Sequence, residues 1–307
     1  AEGAQLRSIA VSPNFRSDRL VYVSLARPTP NTNPTWEIRT YRALASNLAQ
    51  ADPASANTIL IKPALTQAAT KTQRTNWIGF GPDNFLYATQ DSRETGALNP
   101  SGRYGRVIRI DVNRDDFPGD ALRNYGIPST NPYATSTTCA PEAWVDGFYT
   151  PGRASIDRRT GNLWIGDVGI QNEPERFILV RQGDGGANFG PLADDTCNTN
   201  ISSEVARLTH GGSLDTNEAL GGFVYRGPLE SIQGQYFFAD ITSFLATSAV
   251  YSLPADRAVP SQLLPLSDIT TRTEFTAAGR LVAFGEDISG NLYVLNAAGE
   301  IYVVVGA

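Results

Sequence analysis

The chain has 307 residues, 41% of them hydrophobic, with a formal net charge of −6, two cysteines and a single histidine. That length buries a full core and admits one large all-β domain. The acidic balance lacks the basic stripe a nucleic-acid binder needs to neutralise phosphates, and no run of about 18 apolar residues is present to span a membrane.

Taken in chain order, the predicted elements repeat one pattern: a short apolar strand, an acidic or Pro/Asn turn, then a strand of Leu-aromatic-Val character. It appears in "SIAVSPNFRSDRLVYVS" (8–24), "WIGFGPDNFLYAT" (77–89), "RASIDRRTGNLWIGDVG" (153–169) and "RLVAFGEDISGNLYVLN" (280–296). A fifth copy, "GGFVYRGPLESIQGQYFFADI" (221–241), keeps both strands and lengthens the turn. Successive copies start roughly 60 to 75 residues apart, the signature of radial repetition. Gly161-Asn162 and Gly290-Asn291 supply hairpin punctuation between the strands. The expected fold is an all-β β-propeller in a single domain over 1–307, with five blades visible, a sixth in the complete protein and the first blade incomplete. A β-sandwich is the weaker alternative, because sandwiches do not repeat one hairpin at this period. Three long connections, 91–104, 115–142 and 183–212, are where function is expected to lie. The middle one, with its "NYGIPSTNPYATSTTCAPE" stretch, reads as an ordered loop pinned by a cysteine.

The chain contains no methionine, so "AEGAQLRS" is expected to be a processed end and the protein to be secreted or periplasmic. In that compartment Cys139 and Cys197, both in polar loop-like segments, are expected to form a disulfide rather than a zinc site. Several residues are candidates for chemistry. His210 could act as a base or weak ligand, although a hydrogen-bonded loop histidine is the plainer reading. Asp167 and Glu286, with Asp287 beside it, could ligate calcium at strand ends or accept turn hydrogen bonds from backbone N–H groups. "DVNRDD" (111–116) is acidic but lacks the Gly and distal Glu of an EF-hand loop. Arg103, Arg106, Arg153, Arg226 and Arg280 stand beside strands; converging on one axis they would bind an anion, and Arg153 and Arg280 are the cofactor-binding candidates among them.

The order of "IAVSPNF…VYVS", "FGPDNFLYAT", "GRVIRIDV", "YGIPSTNPY", "PEAWVDGFYTPGRASIDRRTGNLWIGDVG", "GGFVYRG" and "FGEDISGNLYVL" resembles the glucose/sorbosone dehydrogenase family over nearly the whole chain. The resemblance implies a six-bladed propeller that binds pyrroloquinoline quinone (PQQ) with calcium and oxidises aldose sugars. It also implies a histidine base just ahead of the "FGPD" turn, where this chain carries Gln73. Glutamine takes up no proton at useful pH. The family's Arg-Asn pair, which contacts cofactor and substrate, falls on Tyr149 and Thr150, and a phenol does not replace a bidentate guanidinium. Its Gly-Trp-Pro calcium-side segment falls on "NFGPLADD" (188–195).

Three functions follow from these readings. One is a diverged, exported member of the family that serves as a binding or assembly module, docking another protein, or a sugar, on a propeller face or exposed edge. The second is a working PQQ- and calcium-dependent sugar dehydrogenase with a replaced base. The third is a calcium-dependent lactonase-type hydrolase.

Overall fold

A computed structural model describes residues 3–29, 32–62, 75–90, 105–168, 175–190, 200–202, 205–208, 217–242, 248–259 and 262–305. The architecture is all-β, with five sheets that correspond to the five repeats, the blade organisation of a β-propeller. Sheet 1 runs β1 (Gln5–Val11), β2 (Leu20–Thr29), β3 (Thr32–Leu44), β4 (Asn47–Lys62), and one helical turn (Phe15–Asp18) joins its first two strands. Sheet 2 holds β5 (Thr75–Phe80), β6 (Leu86–Gln90), β7 (Gly105–Ile110) and β8 (Ala143–Phe148), extended in parallel by the two-residue strands β12 (Ala187–Asn188) and β13 (Asn200–Ile201). Sheet 3 is β9 (Thr150–Ile156), β10 (Leu163–Val168), β11 (Glu175–Val180) and β14 (Ala206–Leu208). Sheet 4 is β15 (Asn217–Val224), β16 (Gln235–Thr242), β17 (Ala249–Pro254) and β18 (Thr270–Thr271). Sheet 5 has three strands, β19 (Leu281–Glu286), β20 (Leu292–Asn296) and β21 (Ile301–Val303).

The chain divides into two compact units. The first, Ala1–Phe148 with Gly185–Ile201, contains sheets 1 and 2. Its core joins Tyr22 and Ile38 of sheet 1 to Ile78, Leu86 and Ile108 of sheet 2. Strands β6, β7 and β8 are buried along their whole length, which is why "LYATQ" and "GRVIRI" lack a clean polar alternation: strands covered on both faces need none. The long connection before β8 is ordered, as its polar sequence and turn residues led one to expect. Buried Asn131 accepts a hydrogen bond from Arg109 Nη1 and donates to the Arg109 and Pro141 carbonyls, tying the loop to β7. Asp116 accepts from the Ile127 N–H and closes the loop's first half.

The second unit, Tyr149–Asp184 with Ser202–Ala307, contains sheets 3, 4 and 5. Sheets 3 and 4 share an aromatic core in which Trp164 stacks on Tyr236 and Phe177 packs on Phe238. Their backbones come close enough that only glycine fits. A Cβ on Gly166 would lie 2.5 Å from the Gly221 nitrogen, and one on Gly221 would run into the Arg153 carbonyl. Phe237 of sheet 4 and Leu281, Leu292 and Val294 of sheet 5 form the next layer. The hairpin glycines Gly161 and Gly290 hold φ of 71° and 81°, the left-handed region the tight turns require.

Candidate functional site

Two ends of these strands carry different chemistry. At the turn between the first two strands of a blade, an aspartate closes the hairpin. Asp83 accepts from the Phe85 N–H and from the Tyr87 hydroxyl, and is paired with Arg109. Asp157 accepts from the Arg159 N–H, the Thr160 hydroxyl and both Nε and Nη2 of Arg226. Asp287 accepts from the Ser289 and Asn291 N–H groups and from the Tyr293 hydroxyl. These are turn-forming carboxylates of the Asx type. Beside one of them a cleft of about 350 Å³ is lined by Asp157, Asn162, Trp164, Arg226 and Gln233 among others.

The opposite strand ends hold buried charge. In sheet 3, Asp167 near the end of β10 stands across from Arg176 of β11. Arg176 Nε donates to Asp167 Oδ2 at 3.0 Å, and its Nη2 donates to the same oxygen. The Tyr149 and Thr150 N–H groups donate to the carboxylate at 3.1 and 2.8 Å. The Tyr149 ring centroid lies 4.5 Å from the guanidinium carbon of Arg176, a cation–π contact. Complete burial pushes the Asp167 carboxyl above its ordinary range, against the pull of Arg176 and the two backbone donors. The Thr150 hydroxyl beside it is buried without a hydrogen-bond partner among the described residues.

Sheet 2 has its own polar row. Gln90, Arg106, Asp146 and Asn188 are successive cross-strand partners on β6, β7, β8 and β12, and all four are buried. Arg106 and Asp146 form an ion pair at 3.3 Å. Asn188 Oδ1 accepts from the Gly190 N–H at 2.8 Å. Gly147, with φ of 89°, passes so close that any side chain there would strike Asn188 and the Gly190 backbone. Gln90 Nε2 is buried without a partner among the described residues.

The residues named from the sequence fall as follows. Gln73, His210, Arg103 and Cys197 lie outside the described residues. Tyr149, Thr150 and Asp167 are brought together, as above. Arg153 is half-buried on β9, with its carbonyl against Gly221. Arg280 is exposed just before β19. Glu286 pairs with Arg158 at 3.1 Å, and burial pushes its carboxyl up in spite of that cation. Arg226 is committed to Asp157. Asp111, Asp115 and Asp116 cap local N–H groups. Among the described residues no group of three or more His, Cys, Asp or Glu side chains is placed to hold a metal. Sequence reasoning missed Arg176 and the Arg106–Asp146 pair as members of these clusters. The available signal was a charged residue set in a strongly apolar strand, in "ERFILV" and "AWVDGF", which needs a buried partner.

Comparison with known proteins fits this architecture. The family model for "Glucose / Sorbosone dehydrogenase" matches residues 2–209. The HIPL1 protein of Arabidopsis thaliana is 26% identical over 269 residues, covering 73% of this chain and 38% of its own length. The HIPL2 protein of the same plant is 24% identical over 264 residues, again with 73% and 38% covered. This chain thus spans well under half the length of these curated relatives. Among solved structures, a glucose dehydrogenase superposes with a TM-score of 0.70 at 15% identity, over 99% of this chain and 82% of that one. The soluble aldose sugar dehydrogenase of Escherichia coli, in its apo form, gives 0.68 at 12% identity, over 98% and 81%. At such identities the structural likeness is one of fold. With two thirds of its length matched by the family model, the chain belongs to the glucose/sorbosone dehydrogenase family.

Proposed function

We propose that this protein is a diverged member of the family that no longer oxidises sugars and acts as an exported binding or assembly module. One observation carries the reading: at these strand ends of sheets 2 and 3 the two buried arginines are already paired with carboxylates. Asp167 is matched by Arg176, and Arg106 by Asp146. Beside these pairs, the Gln90 amide nitrogen in one unit and the Thr150 hydroxyl in the other are buried without a hydrogen-bond partner among the described residues.

Among the described residues, neither of these groups fits PQQ. A tricarboxylate needs uncommitted cations, and a calcium ion beside it needs several convergent oxygens. Tyr149 and Thr150, at the family's Arg-Asn position, instead lend their N–H groups to an aspartate that a neighbouring arginine neutralises. Buried neutral donors suit the hydroxyls of a sugar or the amides of a peptide, because each is costly until bonded and a neutral partner satisfies it without adding charge. Gln73 in the base position supports the same reading on chemical grounds. Pairing of Cys139 with Cys197 is part of this reading: Cys139, the described cysteine, is not a free thiol, and disulfides persist in oxidising compartments. No helix among the described residues is long and apolar enough to cross a membrane.

The test is calorimetric titration with PQQ in excess calcium, followed by dye reduction with a panel of aldoses. The expected outcome is no saturable heat up to about 100 μM quinone, a bound on affinity of roughly −5 kcal/mol, and no sugar-dependent reduction. Saturable binding together with sugar-dependent reduction would establish a working dehydrogenase with a replaced base and end the proposal.

A further inference from the structure

We propose that the cleft between the hairpin ends of sheets 3 and 4 binds a neutral saccharide unit through its hydroxyls, at the opposite strand ends from Asp167 and Arg176. The cleft lies wholly within the second unit. One wall is the β9–β10 hairpin, with Asp157 and Asn162. The other is the β15–β16 turn, with Arg226 and Gln233, joined by Asp256 just after β17. At about 350 Å³ it falls in the size range of small-molecule sites. Its hydrogen-bonding groups are only partly engaged. Arg226 donates Nε and Nη2 to Asp157, and its Nη1 has no hydrogen-bond partner among the described residues. That nitrogen lies 3.6 Å from where a Gly234 Cβ would be, so this glycine, at φ 75°, leaves it uncovered. Asn162 is half-buried, and its side-chain amide has no partner among the described residues. Gln233 donates Nε2 to the Gly227 carbonyl and keeps Oε1 as an acceptor. Arg159 and Asp256 are exposed, and neither side chain has a hydrogen-bond or ion-pair partner among the described residues.

The class of ligand follows from the charge balance of this lining. Asp157 and Asp256 stand against Arg159 and Arg226, so the charges cancel. A phosphate or polycarboxylate would meet both carboxylates, and a metal ion both guanidiniums. An apolar ligand would find little to cover, because Trp164 is 1% exposed and stacked on Tyr236. A sugar hydroxyl donates and accepts at once. Neighbouring hydroxyls therefore give to Asp256 and Gln233 Oε1 while taking from Arg226 Nη1 and Arg159, and Asn162 serves in either direction. Each open group is satisfied and no charge is left over. Recognition of this kind makes no use of an anomeric carbon, so a saccharide that cannot be oxidised there fits as well as an aldose. The site names a ligand for a binding module, yet it shares no residue with the strand ends on which the loss of sugar oxidation was argued.

Calorimetric titration with two neutral non-reducing disaccharides, trehalose and sucrose, should give saturable heat with at least one, at a Kd of about 1 mM. Sodium sulfate and calcium chloride should give none. Asn162→Ala and Asp256→Ala each remove a group that has no side-chain partner in the fold, so the melting temperature should not move. Each should weaken binding about fivefold, the worth of one hydrogen bond, and the double variant about twentyfold or more. No saturable heat with either disaccharide overturns the proposal, and so does binding of sulfate or calcium in their place. Saccharide binding that survives in the double variant also overturns it, while leaving the binding-module reading standing. Sugar-dependent dye reduction, by contrast, ends that reading and leaves this cleft untouched.

Discussion

At the scale of single residues, the hairpin aspartates do more for stability than a place in a turn suggests. Burial alone pushes the Asp157 carboxyl up, but hydrogen bonds from Arg226, Thr160 and the Arg159 N–H outweigh it and hold the group below the ordinary carboxylate range. The unfolded chain therefore takes up this proton at a higher pH than the folded one. The stabilisation is complete above the unfolded pKa of about 4 and is lost as pH falls through the depressed folded value. Asp157→Asn should cost about 3 kcal/mol near pH 7, because Arg226 is left largely buried without a charged partner. As pH falls below the unfolded value of about 4 and through the depressed folded one, the difference from wild type should shrink. Urea melts at several pH values read both effects; a loss of the same size at every pH would show that the charge is not what matters.

At the scale of elements, sheets 3 and 4 are set by a backbone contact rather than by side-chain volume. Gly221 of β15 lies against the Arg153 carbonyl of β9 and the Gly166 nitrogen of β10. Neither neighbour can rotate aside, so a methyl group there must separate the strands and disturb the Trp164–Tyr236 stack nearby. Gly221→Ala is expected to destabilise the fold by about 2–3 kcal/mol, the range of overpacked cores. Gly119→Ala, with nothing within 4 Å of the added methyl, should stay within about 0.5 kcal/mol of wild type. Equal melting temperatures for the two variants would mean that the contact is looser than the geometry indicates.

At the scale of the whole molecule, the long connections must be held without regular secondary structure. Asn131 and Asp116 anchor the 115–142 segment through hydrogen bonds, and Cys139 sits in a turn whose N–H donates to Ser136. The proposed bond from Cys139 to Cys197 would close a long loop, with its main effect on the unfolded chain. Cys139→Ser should therefore lower stability by about 3 kcal/mol. Thiol titration under denaturing conditions should find no reactive sulfhydryl before reduction and two after it, matching the two cysteines of the chain. A thiol that reacts before reduction would remove the disulfide, and with it one support for export.

The amino-acid sequence by itself determined the strand class and the five repeats that become the five sheets. Alternation, turn chemistry and spacing are local, so "FGPDNFLYAT" and "DRRTGNLWIGDVG" announce their hairpins without reference to the rest of the chain. It also carried the family, and the proposed departures at Gln73, Tyr149 and Thr150. It could not show that Asp167 would be neutralised by Arg176, because the two are adjacent only once β10 pairs with β11 in a particular register. For the same reason Arg106 and Asp146 read as unrelated charges in separate strands. The close approach of Gly166 to Gly221 was equally hidden. Whether an aliphatic strand faces a core or water depends on which sheets find a neighbour, and packing between segments far apart in sequence decides that only in the folded state.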